Sequence, residues 1–330
     1  MSAGTTAVHA IDDDVVTRVT GRHLGTTEVR DLTRLSGGAS RETWAYDAVA
    51  ADGTVLELIL RRDPPGRPPA SVDECALLTE AKRSWVPVPR VRFELDEDDG
   101  AGHGFVMDRI AGETLGRRIV GDQAFASARV GFAYHCGEIL AGIHAMDIDA
   151  SGLRAPRDPS SFVLDQVTGY EQLLDGFDVA RPVLELAMRW LRTHQPDLHE
   201  PTVVHGDFRV GNLIVDDTGI RSVLDWELAH VGDPAEDLGW LCVRSWRFGG
   251  DRQVGGIGDV ADLLAGYTDA GGRGLTADDV RYWEIFGNLR WAVICVAQAF
   301  THLGGHRSVE LAAIGRRVSE VEHDIMELLG

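Results

Sequence analysis

The chain contains little cysteine and no cysteine pair. Its four cysteines, Cys75, Cys136, Cys242 and Cys295, lie far apart in the sequence, without a CxxC spacing. This distribution argues against a disulfide framework and against a structural zinc site, because both need clustered cysteines. We therefore expect reduced and mostly buried thiols, as in a cytoplasmic protein.

Basic residues are also scarce. The 32 lysines and arginines are outnumbered by 52 aspartates and glutamates, which gives a formal net charge of −20. Nucleic acids and anionic membranes bind to positively charged surfaces, so this charge argues against both as partners. A cationic ligand is compatible with the charge, but a general contribution to solubility explains it more simply.

Long apolar runs and an export signal are missing as well. The most apolar stretch, residues 291–300, is too short to span a bilayer and predicts a core helix. The N-terminus has neither the basic nor the apolar region of a secretion signal, which again favours the cytoplasm. A length of 330 residues is long for one hydrophobic core and favours two packed units.

Strand patterns dominate the first part of the chain. β-prone runs occupy residues 29–49, where a Gly-Gly turn divides them, and residues 54–62. Two more strands are expected at 86–95 and 104–112, and an acidic turn joins them. Five carboxylates crowd this turn, which predicts a solvated hairpin tip rather than a metal site: Glu94, Asp96, Glu97, Asp98 and Asp99.

A proline-rich segment interrupts the strands at residues 62–70, where four prolines argue against both helical and sheet hydrogen bonding. A helix is expected directly after this segment. Ser71 is the expected N-cap of that helix, and Glu74, three residues later, completes a capping box.

Helical patterns dominate after Gly112, and short apolar β segments interrupt them. The helices are predicted at 126–146 and 179–194, and the β segments at 203–206, 213–215 and 220–225. The sequence therefore predicts an α+β protein with two lobes. We expect a small β-rich N-lobe over residues 1–108 and a larger, mainly helical C-lobe over residues 109–330, with a hinge near 108–112.

Three side chains with oxygen ligands follow the β segments of the second lobe. Asp207 and Asn212 lie in the loop of "VVHGDFRVGNLIV", and Asp225 follows the next β segment. Such oxygens suit Mg²⁺ that carries nucleotide phosphates, and a remaining carboxylate can accept the proton of an attacking hydroxyl. Arg209 can supply a cation for the charge that develops, since guanidinium matches phosphate geometry. Turn capping also explains Asp and Asn at such positions, but the whole set favours phosphoryl transfer.

Two sequence blocks resemble a known family. The block "HGDFRVGN", residues 205–212, has the spacing of the protein-kinase catalytic loop, and it is more similar to the H-G-D-x-x-x-x-N loop of the aminoglycoside phosphotransferase and choline kinase families. The block "VLDWELAHVGDPAEDLGW", residues 223–240, resembles the branch that includes domains fused to acyl-CoA dehydrogenases. Residues 35–46, 58–62 and 105–115 resemble the nucleotide-covering loop, the lysine strand and the interlobe hinge of that branch.

The resemblance implies a bilobal protein-kinase-like fold and an enzyme that uses ATP and Mg²⁺ to phosphorylate a hydroxyl of a small molecule. It implies one set of residues near the reacting groups: Asp207 as catalytic base, Asn212 and Asp225 as Mg²⁺ ligands, and His205, Glu227 and Asp237 in support. It implies a second set around the nucleotide: Gly37, Gly38 and Ser40 over the phosphates, Arg61 paired with Glu74, and the backbone of Met107, Asp108 and Ile110 beside adenine.

One position departs from the kinase pattern. Arg61 occupies the place where kinases keep a lysine, although a guanidinium can still bind the α- and β-phosphates.

Three residues of the predicted 126–146 helix are expected to pack in the core: His135, Cys136 and His144.

Three other functions remain open from the sequence. A metal-dependent phosphohydrolase shares short motifs of this kind but needs more histidines. A protein kinase would need D-F-G and A-P-E motifs, which are missing from the sequence. A non-catalytic nucleotide-binding module would not need the base.

The acceptor is either an aminoglycoside or a hydroxylated metabolite, such as a hydroxyacyl compound. An acidic metabolite or its coenzyme A thioester would need arginines, which Arg244, Arg247, Arg252 and Arg290 could provide. The choice between ATP and GTP and the oligomeric state also stay open.

Overall fold

An antiparallel sheet of five strands forms the N-terminal part of the computed structural model, which describes residues 10–35, 41–64, 72–156, 158 and 161–330. The strands are β1 (Thr26–Arg34), β2 (Glu42–Ala50), β3 (Val55–Arg62), β4 (Val91–Glu94) and β5 (Gly104–Asp108), in the spatial order β1-β2-β3-β5-β4. The predicted strands are therefore confirmed. Arg61 lies near the end of the central strand β3, where it is paired with Thr43 of β2 and Phe105 of β5.

A helix that was not predicted precedes the sheet. α1 (Asp13–Leu24) begins at the N-cap Asp12, whose carboxylate accepts a hydrogen bond from the Val15 amide at 2.9 Å, and it ends at Gly25 in the left-handed conformation. Val15, Val16 and Val19 are buried against the sheet. The expectation of mainly strands was wrong here, because burial of one helical face outweighs the β-propensity of valine and threonine. The two capping residues were the available signal.

The acidic turn between β4 and β5 is partly buried rather than wholly solvated, which corrects the prediction for Asp99. The Asp99 side chain has no exposure to solvent. It accepts a hydrogen bond from the Arg22 guanidinium at 2.9 Å and lies 3.0 Å from His23 Nε2. Arg22 also donates to Asp96 at 2.7 Å. Because Arg22 and His23 belong to the last turn of α1, the turn joins that helix to the sheet through paired charges.

The helix after the proline-rich segment begins later than predicted. α2 (Glu74–Arg83) has Asp73 as its N-cap, and the Asp73 carboxylate accepts from the Ala76 amide at 3.0 Å. The predicted capping box was therefore wrong: Ser71 lies outside the described residues, and the carboxylate of Glu74 is bound by arginines instead. Asp73 is an equally good capping residue and lies immediately before the apolar run.

The backbone changes its bonding partners in the predicted hinge. The amides of Asp108 and Arg109 donate to the carbonyls of Arg90 and Glu57, both within the N-terminal part. Glu113, four residues later, exchanges two backbone hydrogen bonds with Val215 in the following part of the chain. These bonds support our proposal that the N-lobe, residues 1–108, and the C-lobe, residues 109–330, meet in this segment.

The rest of the chain is mainly helical, as predicted, with two small antiparallel ladders. The helices are α3 (Gly116–Gly121), α4 (Phe132–His144), α5 (Phe162–Gly176), α6 (Pro182–Thr193), α7 (Ala235–Cys242), α8 (Val260–Asp269), α9 (Ala277–Leu303), α10 (Val309–Arg316) and α11 (Val318–Leu329). The strands are β6 (Thr202–Val204), β7 (Leu213–Val215), β8 (Ile220–Val223) and β9 (His230–Gly232), which pair as β6 with β9 and β7 with β8. Within the described ranges, no helix is both long enough and apolar enough to cross a bilayer.

Helix α4 is shorter than the predicted 126–146 helix and lies at the centre of the helical core. It starts only at Phe132, because Gly131 before it has a left-handed conformation that ends any preceding helix. Gly137 of α4 lies against the backbone of α8, where an added Cβ would collide with the Leu263 carbonyl oxygen. The two helices therefore approach more closely than any larger residue at Gly137 would allow.

This close approach gives a stability test with a matched control. Gly137→Ala should lower the free energy of unfolding by about 1–3 kcal/mol, the usual cost of overpacking a core. Gly169→Ala is the control, because Gly169 lies in α5 with no atom near an added Cβ. That change should be neutral or stabilising by up to about 1 kcal/mol. Urea unfolding measures both, and equal effects of the two variants would show that α4 and α8 do not pack this closely.

Candidate active site

A tight turn at Gly206 shapes the loop between β6 and β7, residues 205–212. Gly206 has a φ of +78°, and an added Cβ would collide with the Leu228 carbonyl oxygen. Only glycine satisfies both conditions without strain. The loop places the side chains of Arg209 and Asn212 in contact with Asp207. The segment that follows β8 lies beside it, since the Leu224 amide donates to the Asn212 carbonyl.

A buried carboxylate lies directly beneath this loop. Asp237, in α7, has no solvent exposure and accepts hydrogen bonds from the backbone amides of His205 at 2.8 Å and Gly206 at 2.9 Å. His144 Nε2 is a third donor at 3.2 Å, and the other ring nitrogen of His144 lies 2.8 Å from the Tyr267 hydroxyl. Burial alone would raise the pKa of Asp237, but these hydrogen bonds and the His144 side chain outweigh it and lower that pKa.

His205 links the loop to the segment after β8. Its Nε2 lies 3.0 Å from the Leu224 carbonyl oxygen, and its Nδ1 accepts from the Asp207 amide at 3.2 Å. Complete burial lowers the pKa of His205, which favours the neutral imidazole with the proton on Nε2. A neutral ring of this tautomer satisfies both contacts, so His205 fixes backbone positions on either side of the site.

The carboxylate of Asp207 is surrounded by donors. Oδ1 accepts from Trp240 Nε1 at 2.8 Å and Arg209 Nε at 3.0 Å, and Oδ2 accepts from Asn212 Nδ2 at 2.6 Å. The Asn212 amide nitrogen also donates to the Asp207 carbonyl at 2.9 Å. The side chain of Asp207 is 14% exposed, so the carboxylate is held in place but open to a ligand.

The donor set of Asn212 and Asp225 fits a hard cation such as Mg²⁺. Because both recorded donor contacts of Asn212 use its amide nitrogen, the amide oxygen is directed elsewhere and can act as a metal ligand. Asp225 is tied to the same place, since the Leu224 amide donates to the Asn212 carbonyl at 2.8 Å. Asp225 has a left-handed φ of +68° and a side chain that is 36% exposed. An exposed carboxylate beside an amide oxygen is suitable chemistry for magnesium.

Arg61 connects the sheet to this loop. Its guanidinium donates to Glu74 Oε1 at 2.7 Å and lies 3.5 Å from Asp225 Oδ1. Arg41, in the segment that leads into β2, donates to the other carboxylate oxygen of Glu74, also at 2.7 Å. Burial raises the pKa of Glu74, and the charges of the two arginines act in the opposite direction. Among the described residues, Arg61 Nε is buried without a hydrogen-bond partner.

The other predicted site residues differ in their burial, and some of them lie outside the described residues. Met107 is buried at the end of β5, and Asp108 and Ile110 are partly exposed in the hinge. Glu227 is exposed in the short 3-10 helix after Asp225. The predicted phosphate-covering residues Gly37, Gly38 and Ser40 lie outside the described residues.

Three contacts of the site were missed from the sequence. Trp240 donates to Asp207, Arg41 binds Glu74, and His144 donates to Asp237. His144 is buried, as expected, but it also takes part in this hydrogen-bond network. The position of Arg41 next to a glycine-rich segment was the only signal for it, and no local pattern marks the other two.

The four arginines considered as binding groups for an acidic acceptor each bind a carboxylate of this chain. Arg244 and Arg252 bind exposed carboxylates far along the chain from the loop, and Arg247 binds the buried Glu284. Arg290 is linked to Asp207 through Trp240: its guanidinium lies 4.8 Å from the ring centre of Trp240, whose indole N–H donates to Asp207. Arg290 also donates to Glu236 at 3.1 Å.

Solved structures share the fold of this chain. A crystal structure of a protein assigned as an aminoglycoside phosphotransferase, from Ralstonia eutropha JMP134, aligns with a TM-score of 0.75 and 22% identity over 97% of this chain and 98% of that chain. An aminoglycoside phosphotransferase variant in ternary complex with ADP and hygromycin B aligns with a TM-score of 0.62 and 15% identity over 93% and 98%. The expected bilobal protein-kinase-like fold is confirmed.

The family follows from the sequence comparison. The "Phosphotransferase enzyme family" matches residues 31–280, so the chain belongs to this family. Acyl-CoA dehydrogenase family member 10 of Mus musculus is 27% identical over 243 residues, which cover 71% of this chain and 22% of that protein. An aminoglycoside 3'-phosphotransferase of Niallia circulans is 28% identical over 207 residues, covering 60% of this chain and 71% of that enzyme. The chain thus matches only about a fifth of the length of the mouse protein.

The salt bridge between His230 and Glu236 predicts a pH dependence of stability. His230 Nε2 lies 3.0 Å from Glu236. Burial alone would lower the pKa of His230, but Glu236 outweighs it and raises that pKa to about 9. Since the unfolded value is about 6.5, protonated His230 stabilises the fold fully below that pH, and the stabilisation is lost as the pH rises through about 9.

His230→Gln tests this dependence. The free energy of unfolding of the natural protein should fall between pH 6.5 and 9 relative to that of the variant, because only the natural protein loses a charged pair over this interval. Urea unfolding at a series of pH values gives the difference between the two curves. A constant difference across the interval would mean that His230 is not protonated in the folded protein.

Proposed function

We propose that the protein is an ATP-dependent small-molecule kinase that transfers the γ-phosphate of ATP to a hydroxyl of its substrate. One observation carries this proposal. Arg61 joins Glu74 and Asp225, so that the nucleotide-binding elements of the sheet meet the Asp207–Asn212 loop at a single place. Belonging to a phosphotransferase family supports the same reaction.

In this proposal the N-lobe binds the nucleotide. Arg61 binds the α- and β-phosphates in place of the usual lysine, and its Nε, which has no hydrogen-bond partner in the part of the chain that the structure describes, leaves donor capacity for an anion. We assign Gly37, Gly38 and Ser40, which lie outside the described residues, to the same phosphates. In the hinge, the amides of Asp108 and Arg109 already bond within the sheet region, whereas no described backbone carbonyl accepts from the amide of Ile110. We therefore assign the Ile110 amide to the adenine ring, with Met107 and Asp108 beside it.

The metal and the reacting groups are assigned to the loop. Asn212 and Asp225 hold Mg²⁺, which when bound neutralises charge on the nucleotide phosphates. Asp207 orients the acceptor hydroxyl and accepts its proton as the oxygen bonds to the γ-phosphorus and ADP leaves. Arg209 lies beside Asp207 and can stabilise the negative charge on the transferring group. Asp237 and His205 hold the loop, and Glu227 lies at the edge of the metal site in support.

The acceptor is a small molecule with a hydroxyl group, and two classes fit the proposal. A hydroxylated metabolite, such as a hydroxyacyl compound, is supported by the likeness to an acyl-CoA dehydrogenase family member. An aminoglycoside is supported by the likeness to an aminoglycoside 3'-phosphotransferase and by the net charge of −20.

A panel of acceptors separates these classes. The protein is incubated with Mg·ATP or Mg·GTP and with matched sets of aminoglycosides, free hydroxy acids and hydroxyacyl-coenzyme A thioesters, and nucleotide diphosphate release is measured. We expect release that depends on the acceptor, with one class preferred. Nucleotide binding without release for any acceptor would support a non-catalytic module and contradict the proposal.

Asp207→Asn tests the proposed base. The variant should bind Mg·ATP nearly as well as the natural protein but lose about 10²–10⁴-fold in turnover, because an amide does not accept the proton of the hydroxyl. Asp216→Asn is the control, since Asp216 lies in the turn between β7 and β8 and bonds only locally to Thr218 and its neighbours. Calorimetry measures the binding of Mg·ATP, and steady-state kinetics measure the turnover. Retention of a third or more of the turnover by Asp207→Asn would exclude Asp207 as the base.

A further inference from the structure

The Asp207 carboxylate has one donor that is more exposed to solvent than the others. Arg209 Nε is shared between the two carboxylate oxygens at 3.0 and 3.2 Å, and its side chain is 25% exposed, so an incoming hydroxyl can replace it. Asn212 is bound to the loop itself. Trp240 is only 3% exposed and comes from a different element, helix α7.

Several groups fix the Trp240 ring in place. Arg290 lies over one side of it at 4.8 Å from the ring centre, and the ring of Trp246 contacts it with centroids 5.1 Å apart. Arg290 is itself held by Glu236, which also contacts His230. A ring confined in this way points its N–H at Asp207 Oδ1 without losing further conformational entropy when a substrate binds.

The same helix holds the loop at a second point. Asp237 lies three residues before Trp240, and residues with this spacing share one face of a helix. Asp237 binds the backbone of the loop at His205 and Gly206, and Trp240 binds the Asp207 side chain. A carboxylate attached to a fixed backbone still rotates about two side-chain bonds, and the indole N–H removes that freedom.

We propose that Trp240 is a positioning residue for phosphoryl transfer: its indole N–H holds Oδ1 of Asp207, so that Oδ2, on the side of Asn212, faces the acceptor hydroxyl. This proposal rests on the proposed role of Asp207 as the base. The indole N–H of Trp240 donates to the base and not to a residue assigned to the metal, so its effect is on the orientation of the base and not on nucleotide binding.

Trp240→Phe tests the proposal, because phenylalanine keeps an aromatic ring beneath Arg290 but has no N–H. We expect kcat to fall about 10- to 100-fold, the factor that corresponds to losing one hydrogen bond to a charged group. The KM for ATP should stay within about twofold, since an interaction with the base alone does not change nucleotide binding.

Trp283→Phe is the matched control. Trp283 is also buried, and it packs against the same helix at Gly239, but its Nε1 has no hydrogen-bond partner among the described residues. Its replacement should change the melting temperature and leave kcat and KM unchanged. A kcat of Trp240→Phe within twofold of the natural value, with Asp207→Asn inactive, would overturn the role of Trp240 alone. An active Asp207→Asn would overturn the role of Asp207 and this proposal with it.

A spectroscopic measurement keeps the proposal testable if Trp240→Phe does not fold. The eight tryptophans give eight indole N–H signals in a ¹⁵N–¹H spectrum. Asp207→Asn removes the charge that accepts the Trp240 N–H, so one indole proton signal should move upfield by more than any other. If all eight signals keep their positions in Asp207→Asn, the hydrogen bond does not exist and the proposal is wrong.

Discussion

The hydrogen bonds between Asp237 and the backbone amides of His205 and Gly206 are the interaction on which the site depends. A carboxylate without solvent exposure is costly unless donors surround it, and these two amides with His144 provide them. The loop is therefore fixed to α7 before any ligand binds. Removing one donor would leave a buried charge with too few partners, so the loop and the helix constrain each other.

The sheet contributes a second fixed point. Arg61 lies in the central strand between two hydrogen-bonded neighbours, and its guanidinium reaches both Glu74 of α2 and Asp225 beyond β8. The contact with Asp225 is longer, at 3.5 Å, than the contact with Glu74, at 2.7 Å. The shorter contact stays between the sheet and α2, and the longer one reaches the segment after β8. In the proposed reaction, a nucleotide phosphate replaces the longer contact and leaves the shorter one in place.

The sequence predicted structural elements that depend on neighbouring residues. It missed contacts between residues that are distant in the chain. The strands and the loop at residues 205–212 carry local patterns of turn and alternation, so they were recognised. Trp240 is 33 residues from Asp207, Arg41 is 33 residues from Glu74, and His144 is 93 residues from Asp237. Such contacts arise only when elements that are distant in the chain pack against each other. Helix α1 was missed for another reason: its valines and threonines favour strands, and only its caps indicate a helix.

The proposed reaction transfers the phosphoryl group to a hydroxyl and not to water. One isotope measurement distinguishes these two reactions directly. The protein is incubated in H₂¹⁸O with Mg·ATP and the acceptor that releases most ADP, and the products are analysed by mass spectrometry. We expect a phosphate ester of the acceptor without ¹⁸O, because the bridging oxygen comes from the acceptor hydroxyl and the others from ATP. Inorganic phosphate containing one ¹⁸O atom as the main product would contradict it, since that product requires attack by water.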